Sequence, residues 1–151
     1  MVHKNKSMQT TSLFSLQKMP FELPSVKIKS SKNIDLFVRN FWHSDIEIYE
    51  SMFMITLNNA NDTTGFMKIS QGGVSGTVVD FKIIAKYAIE NLATGVVICH
   101  NHPSGNLKPS GADKYMTEKL KKALGLFDIK LIDHLIITAE SYFSFSDSGK
   151  L

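Results

Sequence analysis

Apolar and polar positions divide the chain into a leader, residues 1–30, and a body, residues 31–151. In the leader, polar residues and prolines interrupt every apolar stretch, and only Val26 to Lys29 predicts a short strand. We therefore expect a flexible leader without chemistry of its own. The body has helical or strand-like apolar spacing throughout, which predicts one folded domain.

Three stretches of the body predict helices. The first follows Ser31, and its apolar residues recur at the spacing of one helix face. They are Ile34, Phe37, Val38, Phe41 and Trp42. The second has Asp80 as its N-cap candidate and Gly95 as its end signal, and the third begins at Ser110 and ends near Gly125. The apolar face of the second helix comprises Phe81, Ile84, Ala85, Ala88 and Leu92.

Five stretches predict strands, at Ile46 to Leu57, Thr64 to Ser70, Val96 to Cys99, Ile129 to Thr138 and Tyr142 to Phe145. The run Val96 to Cys99 is apolar at every position, which is typical of a strand buried on both faces. Strands and helices mingle, with hairpins between some neighbours and helical crossovers between others. The predicted fold is therefore α/β, a three-layer αβα sandwich with a mixed central sheet.

The composition is that of a single globular domain. The 151 residues contain 43% hydrophobic and 21% charged residues, which excludes a wholly disordered or membrane-embedded chain. No apolar run approaches the roughly 20 residues that span a bilayer. Polar residues also interrupt the N-terminal stretch that a signal peptide would need. We therefore expect a cytoplasmic protein without a membrane partner.

The net charge of +3 is concentrated near the N-terminus. Residues 1–33 hold six lysines against one acid, whereas residues 34–151 hold 11 basic and 13 acidic residues. The folded body is therefore mildly acidic, which does not support nucleic-acid binding by that part of the chain. Two interpretations of the basic leader stay open, a solvated tail and an arm that binds nucleic acid.

A single cysteine, Cys99, excludes an internal disulfide and a metal site built from several thiolates. Any transition metal must therefore be bound by histidines and carboxylates. Cys99 precedes His100 in a predicted strand, so the two side chains point to opposite faces. We expect Cys99 to be a small buried packing residue.

The segment after the buried strand predicts a metal site. In an extended chain, residues two apart point to the same side about 6 to 7 Å apart, so His100 and His102 can converge on one ion. Pro103 and Gly105 then turn the chain, and the next helix can bring Asp113, in its first turn, back to the same place. Three protein ligands with a fourth position for water are the arrangement of a catalytic zinc ion.

Two further residues complete a hydrolytic site. Glu50 is the candidate general acid/base, because strand alternation places it among apolar residues. A carboxylate in such surroundings destabilises the fold unless it has a partner or a function. Its predicted neighbours on that face are Ile46, Ile48, Met52 and Met54. Ser110 can donate a hydrogen bond, from its hydroxyl or its backbone N–H, to the oxyanion that forms when a carbonyl is attacked.

Each of these residues also has a purely structural interpretation. Ser110 and Asp113 form the sequence S-x-x-D of a capping box. Glu50 by itself is typical of a strand edge or a salt bridge, and an isolated H-x-H occurs in cores as well as in metal sites. The joint pattern favours a site, since a strand that ends in H-x-H, a proline and glycine turn and an S-x-x-D helix start rarely coincide by accident.

The spacing H-x-H-x7-S-x2-D, here His100, His102, Ser110 and Asp113, resembles the JAMM motif of JAB/MPN metallopeptidases. The segment HNHPSGNLKPSGAD resembles the RadC family in particular, and the resemblance covers roughly residues 32 to 149. The resemblance implies a cytidine-deaminase-like αβα sandwich and one zinc ion bound by the two histidines and the aspartate. It also implies Glu50 as general acid/base and Ser110 as oxyanion support. Full-length RadC proteins carry an N-terminal region similar to a helix-hairpin-helix that is absent here, so we do not extend a DNA-repair role to this chain.

The resemblance also covers Asp133 and His134. We predict that His134 has a structural role near the site and is not a fourth metal ligand. Its neighbour Asp133 is the candidate for orienting its ring.

The functional hypothesis is a zinc peptidase or isopeptidase with a protein or peptide substrate. Its specificity is expected in the loops around residues 58–76 and 103–109. The alternative is a DNA-associated accessory protein without peptidase activity, whose working part is the basic leader and whose binding weakens steeply with salt. A third hypothesis, a zinc nucleobase deaminase, is disfavoured because those enzymes need a second cysteine.

Overall fold

The structure is a computed structural model that describes residues 23–42, 45–72 and 79–151. Most of the predicted leader, residues 1–22, lies outside the described residues, so its flexibility stays a prediction. The helices of the described part are α1 Ser31–Val38, α2 Phe81–Glu90 and α3 Gly111–Gly125. The strands are β1 Ser51–Leu57, β2 Thr63–Gln71, β3 Gly95–Asn101, β4 Lys130–Ile137 and β5 Tyr142–Ser144.

The five strands of the described part form one mixed sheet in the order β2-β1-β3-β4-β5. β1 pairs antiparallel with β2 and with β3, β3 pairs parallel with β4, and β4 pairs antiparallel with β5. The parallel pair follows from α3, because a parallel neighbour requires a crossover connection. Every residue of β3 is buried, as its apolar run predicts. The predicted mixed sheet is confirmed.

Helices cover both faces of the sheet. α1 packs on one face, over a cluster that includes Phe53, Val97 and Cys99. α2 and α3 pack on the other face, over a cluster that includes Met54, Val96 and Ile98. Neighbouring residues of β3 thus enter different cores, as side-chain alternation along a strand requires. The predicted three-layer αβα sandwich is confirmed, and no helix of the described residues is long and apolar enough to cross a membrane.

The first helix ends earlier than its apolar stripe predicts. Asn40 donates from Nδ2 to the carbonyl oxygens of Leu36 and Phe37, which satisfies two groups at the end of α1. Phe41 lies beyond that end, yet it is buried and stacks on Phe66 with ring centroids 4.0 Å apart. The prediction of core residues was right here, whereas the length of the helix was overestimated.

The predicted strand from Ile46 is also shorter than expected, because β1 begins only at Ser51. Residues 45–49 form a turn in which the backbone N–H groups of Ile48 and Tyr49 donate to the carbonyl oxygen of Asp45. Ile48 is 53% exposed, so the prediction that it shares an apolar strand face with Glu50 is wrong. Glu50 itself directly precedes β1.

The end of α2 shows a second correction. The helix stops at Glu90, and Leu92 follows it in a left-handed conformation with a φ of 50° and 86% exposure. Gly95 belongs to β3, where an added Cβ would lie 2.9 Å from Cγ1 of Ile132. This glycine therefore allows close packing and does not terminate the helix.

The remaining predicted elements agree with the structure. Asp80 and Ser110 cap α2 and α3 with their side chains, and β2, β4 and β5 lie within two residues of their predicted bounds. The short strand predicted at Val26 to Lys29 is reduced to one bridge between Lys27 and Asp62.

The core on the side of α2 and α3 can be tested with two neighbouring isoleucines of α2. Ile84 is fully buried, whereas Ile83 is 40% exposed. Ile84→Ala should lower the free energy of unfolding by about 2 to 5 kcal/mol, because it leaves a cavity. Ile83→Ala is the matched control and should cost less than about 1 kcal/mol. Urea denaturation measures both, and equal losses would contradict the assigned face of α2.

The fully buried Cys99 provides a second test. Burial raises the pKa of this thiol well above its usual value, and the negative charge of Asp133 adds to the effect. The thiol therefore stays protonated and inaccessible in the folded protein. We expect iodoacetamide to leave the native protein unmodified and to modify Cys99 rapidly in urea, as measured by mass spectrometry. Rapid modification without denaturant would show that Cys99 does not pack under α1.

Candidate metal centre

The end of β3 and the first turn of α3 bring three candidate ligands together. Nε2 of His100 lies 3.0 Å from Nε2 of His102 and 3.2 Å from Oδ1 of Asp113. Nε2 of His102 lies 3.6 Å from Oδ2 of Asp113. Among the described residues, these three form the group of histidine and acidic side chains close enough to share one ion.

The distances between the ligand atoms fit a zinc ion. Bonds of about 2.0 to 2.1 Å in a tetrahedral arrangement separate neighbouring ligands by about 3.3 Å. The separations from Nε2 of His100, 3.0 Å to Nε2 of His102 and 3.2 Å to Oδ1 of Asp113, are close to that value, and one ligand atom from each of the three residues gives a set within 4.8 Å. Imidazole nitrogens and a carboxylate oxygen are also the donors that zinc accepts when no thiolate is present. The residues therefore fit the group that the sequence predicts.

The hydrogen bond of His102 presents its other nitrogen to the site. Nδ1 of His102 lies 2.6 Å from the carbonyl oxygen of Asn106. A carbonyl oxygen only accepts, so Nδ1 carries the hydrogen and donates it. When the ring is neutral, as metal binding requires, its lone pair is on Nε2, which faces the other two ligands. Asn106 lies in the loop 103–109 and links this loop to the site.

His100 is held from behind by His134. Nδ1 of His100 lies 2.7 Å from Nε2 of His134, and Nδ1 of His134 lies 2.6 Å from Oγ1 of Thr117. The ring of His134 stacks on Phe145 with centroids 4.6 Å apart. Burial lowers the pKa of His134 well below its usual value, and the proximity of His100 lowers it further. His134 thus contacts a ligand and is not in the ligand group, as the sequence predicts.

The prediction that Asp133 orients the ring of His134 is wrong. The carboxylate of Asp133 accepts from the hydroxyl of Ser144 and from the backbone N–H groups of Ser146 and His134. Adjacent residues of a strand point to opposite faces, so Asp133 cannot reach its neighbour's ring. Thr117 occupies that role, and it could have been found from its position one helical turn after Asp113.

Asp113 is ionised despite its burial. Burial by itself would raise the pKa of its carboxyl group, but the neighbouring rings of His100 and His102 and the hydrogen bonds from Ser110 lower the pKa well below its usual range. The same contact with Asp113 is the chief cause that raises the pKa of His102, and the charge of Glu50 adds a smaller part. The ionised carboxylate of Asp113 is thus available to a cation.

Ser110 is fully engaged with Asp113. Its hydroxyl and its backbone N–H both donate to Oδ2 of Asp113, at 2.6 and 2.7 Å, and its Oγ accepts from the N–H of Asp113. The capping box expected from S-x-x-D is therefore present. The side chain lies at the cleft, where oxyanion support stays a prediction.

Glu50 lines the same cleft as the three ligands. The cleft has a volume of about 430 Å³. Its polar lining residues are Glu50, His100, His102, Ser110 and Asp113, and its apolar and aromatic ones are Met52, Val79, Phe81, Ala112, Tyr115 and Met116. The structure therefore brings together all five residues that the sequence predicts for the site. The lining thus combines a few ionisable side chains with a larger number of apolar and aromatic ones.

Asn101, between the two histidines, holds the segment that carries Glu50. Its Nδ2 donates to the carbonyl oxygens of Ile46 and Tyr49, and its Oδ1 accepts from the N–H of Ser51. These bonds flank Glu50 on both sides, so its position is fixed relative to β3. The role of Asn101 was not predicted from the sequence, although an amide next to a buried apolar strand is a signal of such a role.

The predicted specificity loops lie in different places. Leu57 pairs with Gly95, whereas Met52 pairs with His100, so the turn of residues 58–62 is at the end of the sheet away from the ligands. The prediction for that turn is wrong. Residues 73–78 lie outside the described residues, and the loop 103–109 does border the site through Asn106.

Comparisons with known proteins agree with this geometry. Residues 28–150 match the RadC-like JAB domain. A UPF0758 protein of Flavobacterium johnsoniae is 48% identical over 101 residues, which is 67% of this chain and 44% of that protein. The UPF0758 protein YeeS of Escherichia coli is 40% identical over 102 residues, which is 68% of this chain and 69% of that protein.

A more extended alignment is found with a UPF0758 protein of Chlorobaculum tepidum, which is 33% identical over 146 residues. These cover 97% of this chain and 66% of that protein. The chain thus spans less than two thirds of the Flavobacterium and Chlorobaculum relatives. Because the domain match extends over most of the chain, the protein belongs to the family of RadC-like JAB domains.

Proposed function

We propose that the protein is a zinc-dependent hydrolase of peptide or isopeptide bonds. The observation that carries the proposal is the convergence of two imidazole nitrogens and a carboxylate, within 4.8 Å of one another, in a cleft that Glu50 also lines. The JAB fold supports the proposal, because the JAB/MPN superfamily includes hydrolases. The proposal also includes a protein or peptide substrate and a cytoplasmic location. The mildly acidic folded body does not support a nucleic-acid substrate.

His100, His102 and Asp113 would hold the zinc ion, and three protein ligands are the number typical of a catalytic zinc site. When bound, zinc acts as a Lewis acid that polarises a carbonyl group and makes water acidic near neutral pH. Histidines bind metal ions as neutral donors, and Asp113 is ionised, so the group would provide one negative charge to a divalent ion.

Glu50 is the proposed general acid/base. Its carboxylate accepts a proton from the attacking water and then gives it to the nitrogen of the leaving amine. The hydrogen bonds of Asn101 to Tyr49 and Ser51 hold the backbone on both sides of Glu50, which limits its freedom relative to the ligands. A fixed carboxylate at one side of the cleft is the geometry that proton transfer requires.

Ser110 is the proposed oxyanion support. Its hydroxyl donates to Oδ2 of Asp113 in this structure. Donation to a substrate oxygen requires the hydroxyl to rotate away from that carboxylate, while the backbone N–H of Ser110 maintains the cap. The contribution of Ser110 is therefore expected to be smaller than that of Glu50.

One prediction of the proposed function concerns Glu50. Glu50→Gln keeps the shape of the side chain and removes its basicity, so the variant should bind one zinc ion and lose about 100- to 10,000-fold in turnover. Internally quenched peptides and a branched, isopeptide-linked peptide are suitable probes, each with and without chelator. Glu47→Gln is the matched control, because Glu47 is exposed in the same turn. Full activity of Glu50→Gln would refute the assignment.

Another prediction of the proposed function concerns the metal. His102→Ala removes one of three ligands, so the purified variant should lose its stoichiometric zinc, as measured by mass spectrometry of the metal content. Lys108→Ala, exposed in the same loop, should keep one zinc ion per chain. Circular dichroism verifies that both variants fold. Stoichiometric zinc in folded His102→Ala would show that the ligands are misassigned.

A further inference from the structure

A buried row of hydrogen bonds runs behind the ligand His100. Oγ1 of Thr117 lies 2.6 Å from the carbonyl oxygen of Asp113 and 2.6 Å from Nδ1 of His134. Nε2 of His134 lies 2.7 Å from Nδ1 of His100. Thr117, His134 and His100 are each at most 3% exposed, so water does not replace these partners. The row begins at the backbone of one ligand and ends at the ring of another.

The carbonyl group at one end determines the direction of every hydrogen bond in the row. A carbonyl oxygen has no hydrogen, so the hydroxyl of Thr117 must donate to Asp113. If it donated to His134 instead, two oxygens would face each other at 2.6 Å without a hydrogen between them. Oγ1 of Thr117 therefore accepts, and Nδ1 of His134 is the donor.

The same reasoning extends to the ligand. His134 is 1% exposed, and its two ring nitrogens contact a hydroxyl and an imidazole, neither of which compensates a buried positive charge, so the ring is neutral. A neutral imidazole carries one hydrogen, and that of His134 is on Nδ1. Nε2 of His134 therefore accepts, and Nδ1 of His100 donates to it. The remaining nitrogen of His100, Nε2, is left with a lone pair, and it is the atom that faces Asp113 and His102.

We propose that Thr117 and His134 are positioning residues that fix His100 in the tautomer with hydrogen on Nδ1, so that Nε2 is available to the metal ion. The inference rests on the metal-binding part of the proposed function. Neither residue is among those that line the cleft. Stacking of His134 on Phe145 keeps its ring in the plane that both hydrogen bonds require. Because the row starts at the carbonyl of Asp113, it also ties the orientation of His100 to the helix that carries the third ligand.

A purely structural role makes a different prediction. Polar groups that only satisfy one another in a core affect stability when they are removed, and they leave the tautomer of His100 unchanged. The tautomer therefore distinguishes the two interpretations, and it can be measured without any metal. Two-bond proton–nitrogen NMR correlations of the histidine rings report it directly in alkaline buffer with chelator present.

The experiment compares wild type with Thr117→Val, which keeps the shape of the side chain and removes the hydroxyl. In wild type we expect hydrogen on Nδ1 of both His100 and His134. In Thr117→Val, Nδ1 of His134 loses its acceptor, so part of the population should reverse and place hydrogen on Nε2 of His100. Zinc affinity, measured by competition with a chelating dye, should fall by about 10- to 100-fold. Thr117→Ser should restore both readings.

Thr56→Val is the matched control. Thr56 is also a fully buried threonine, and its hydroxyl donates to the carbonyl oxygen of Gly65 in a different part of the sheet. This variant should lose stability without a change in tautomer or in zinc affinity. The comparison therefore removes a general loss of stability as an explanation.

Two results would overturn the proposal. One is hydrogen on Nε2 of His100 in the metal-free wild type, which needs no variant to fold. The other is a Thr117→Val protein with the wild-type tautomer and a zinc affinity within about threefold of wild type. A wild-type protein that shows the expected tautomers and binds no zinc would instead refute the proposed function, so the two failures are distinguishable.

Discussion

The approach of two imidazoles to the carboxylate of Asp113 is the interaction on which the rest of the site depends. It requires a strand that ends with His100 buried and a helix that starts with Asp113 pointing back at that strand. Full burial of β3 supplies the first, and the capping box of α3 supplies the second. The result is an ionised carboxylate with little access to water, which is stable only while its partners stay in place.

Because side chains alternate between the two faces of the sheet, the short strand β3 has a second role. His100 faces the core under α2 and α3, while the side chain of Asn101 points the other way and bonds the backbone at Tyr49 and Ser51. One strand end therefore supplies the ligands and also holds the segment that carries Glu50. This arrangement couples the proposed base to the proposed metal through three hydrogen bonds of one amide.

The signals that the sequence carried correctly are local. Alternation placed His100 and His102 together, and S-x-x-D located the start of α3. The errors arise where distant groups decide the structure. Apolar periodicity extended a strand back to Ile46, because it cannot detect that Asn101, about 50 residues later, takes up the backbone groups of that turn. Adjacency suggested Asp133 as the partner of His134, although the alternation rule already excluded it.

The structural and the functional interpretations of Ser110 and Asp113 are compatible, because the two oxygens of the carboxylate have different partners. Oδ2 accepts from the hydroxyl and the backbone N–H of Ser110, which closes the start of α3, and it also lies 3.6 Å from Nε2 of His102. Oδ1 lies nearest to Nε2 of His100 and takes no part in the cap. The N-terminus of a helix favours negative charge, so the cap keeps Asp113 ionised for a cation on its other oxygen. If the helix cap used both oxygens of Asp113, it would compete with metal binding. Because it uses only Oδ2, it keeps Asp113 ionised and leaves Oδ1 for the metal ion.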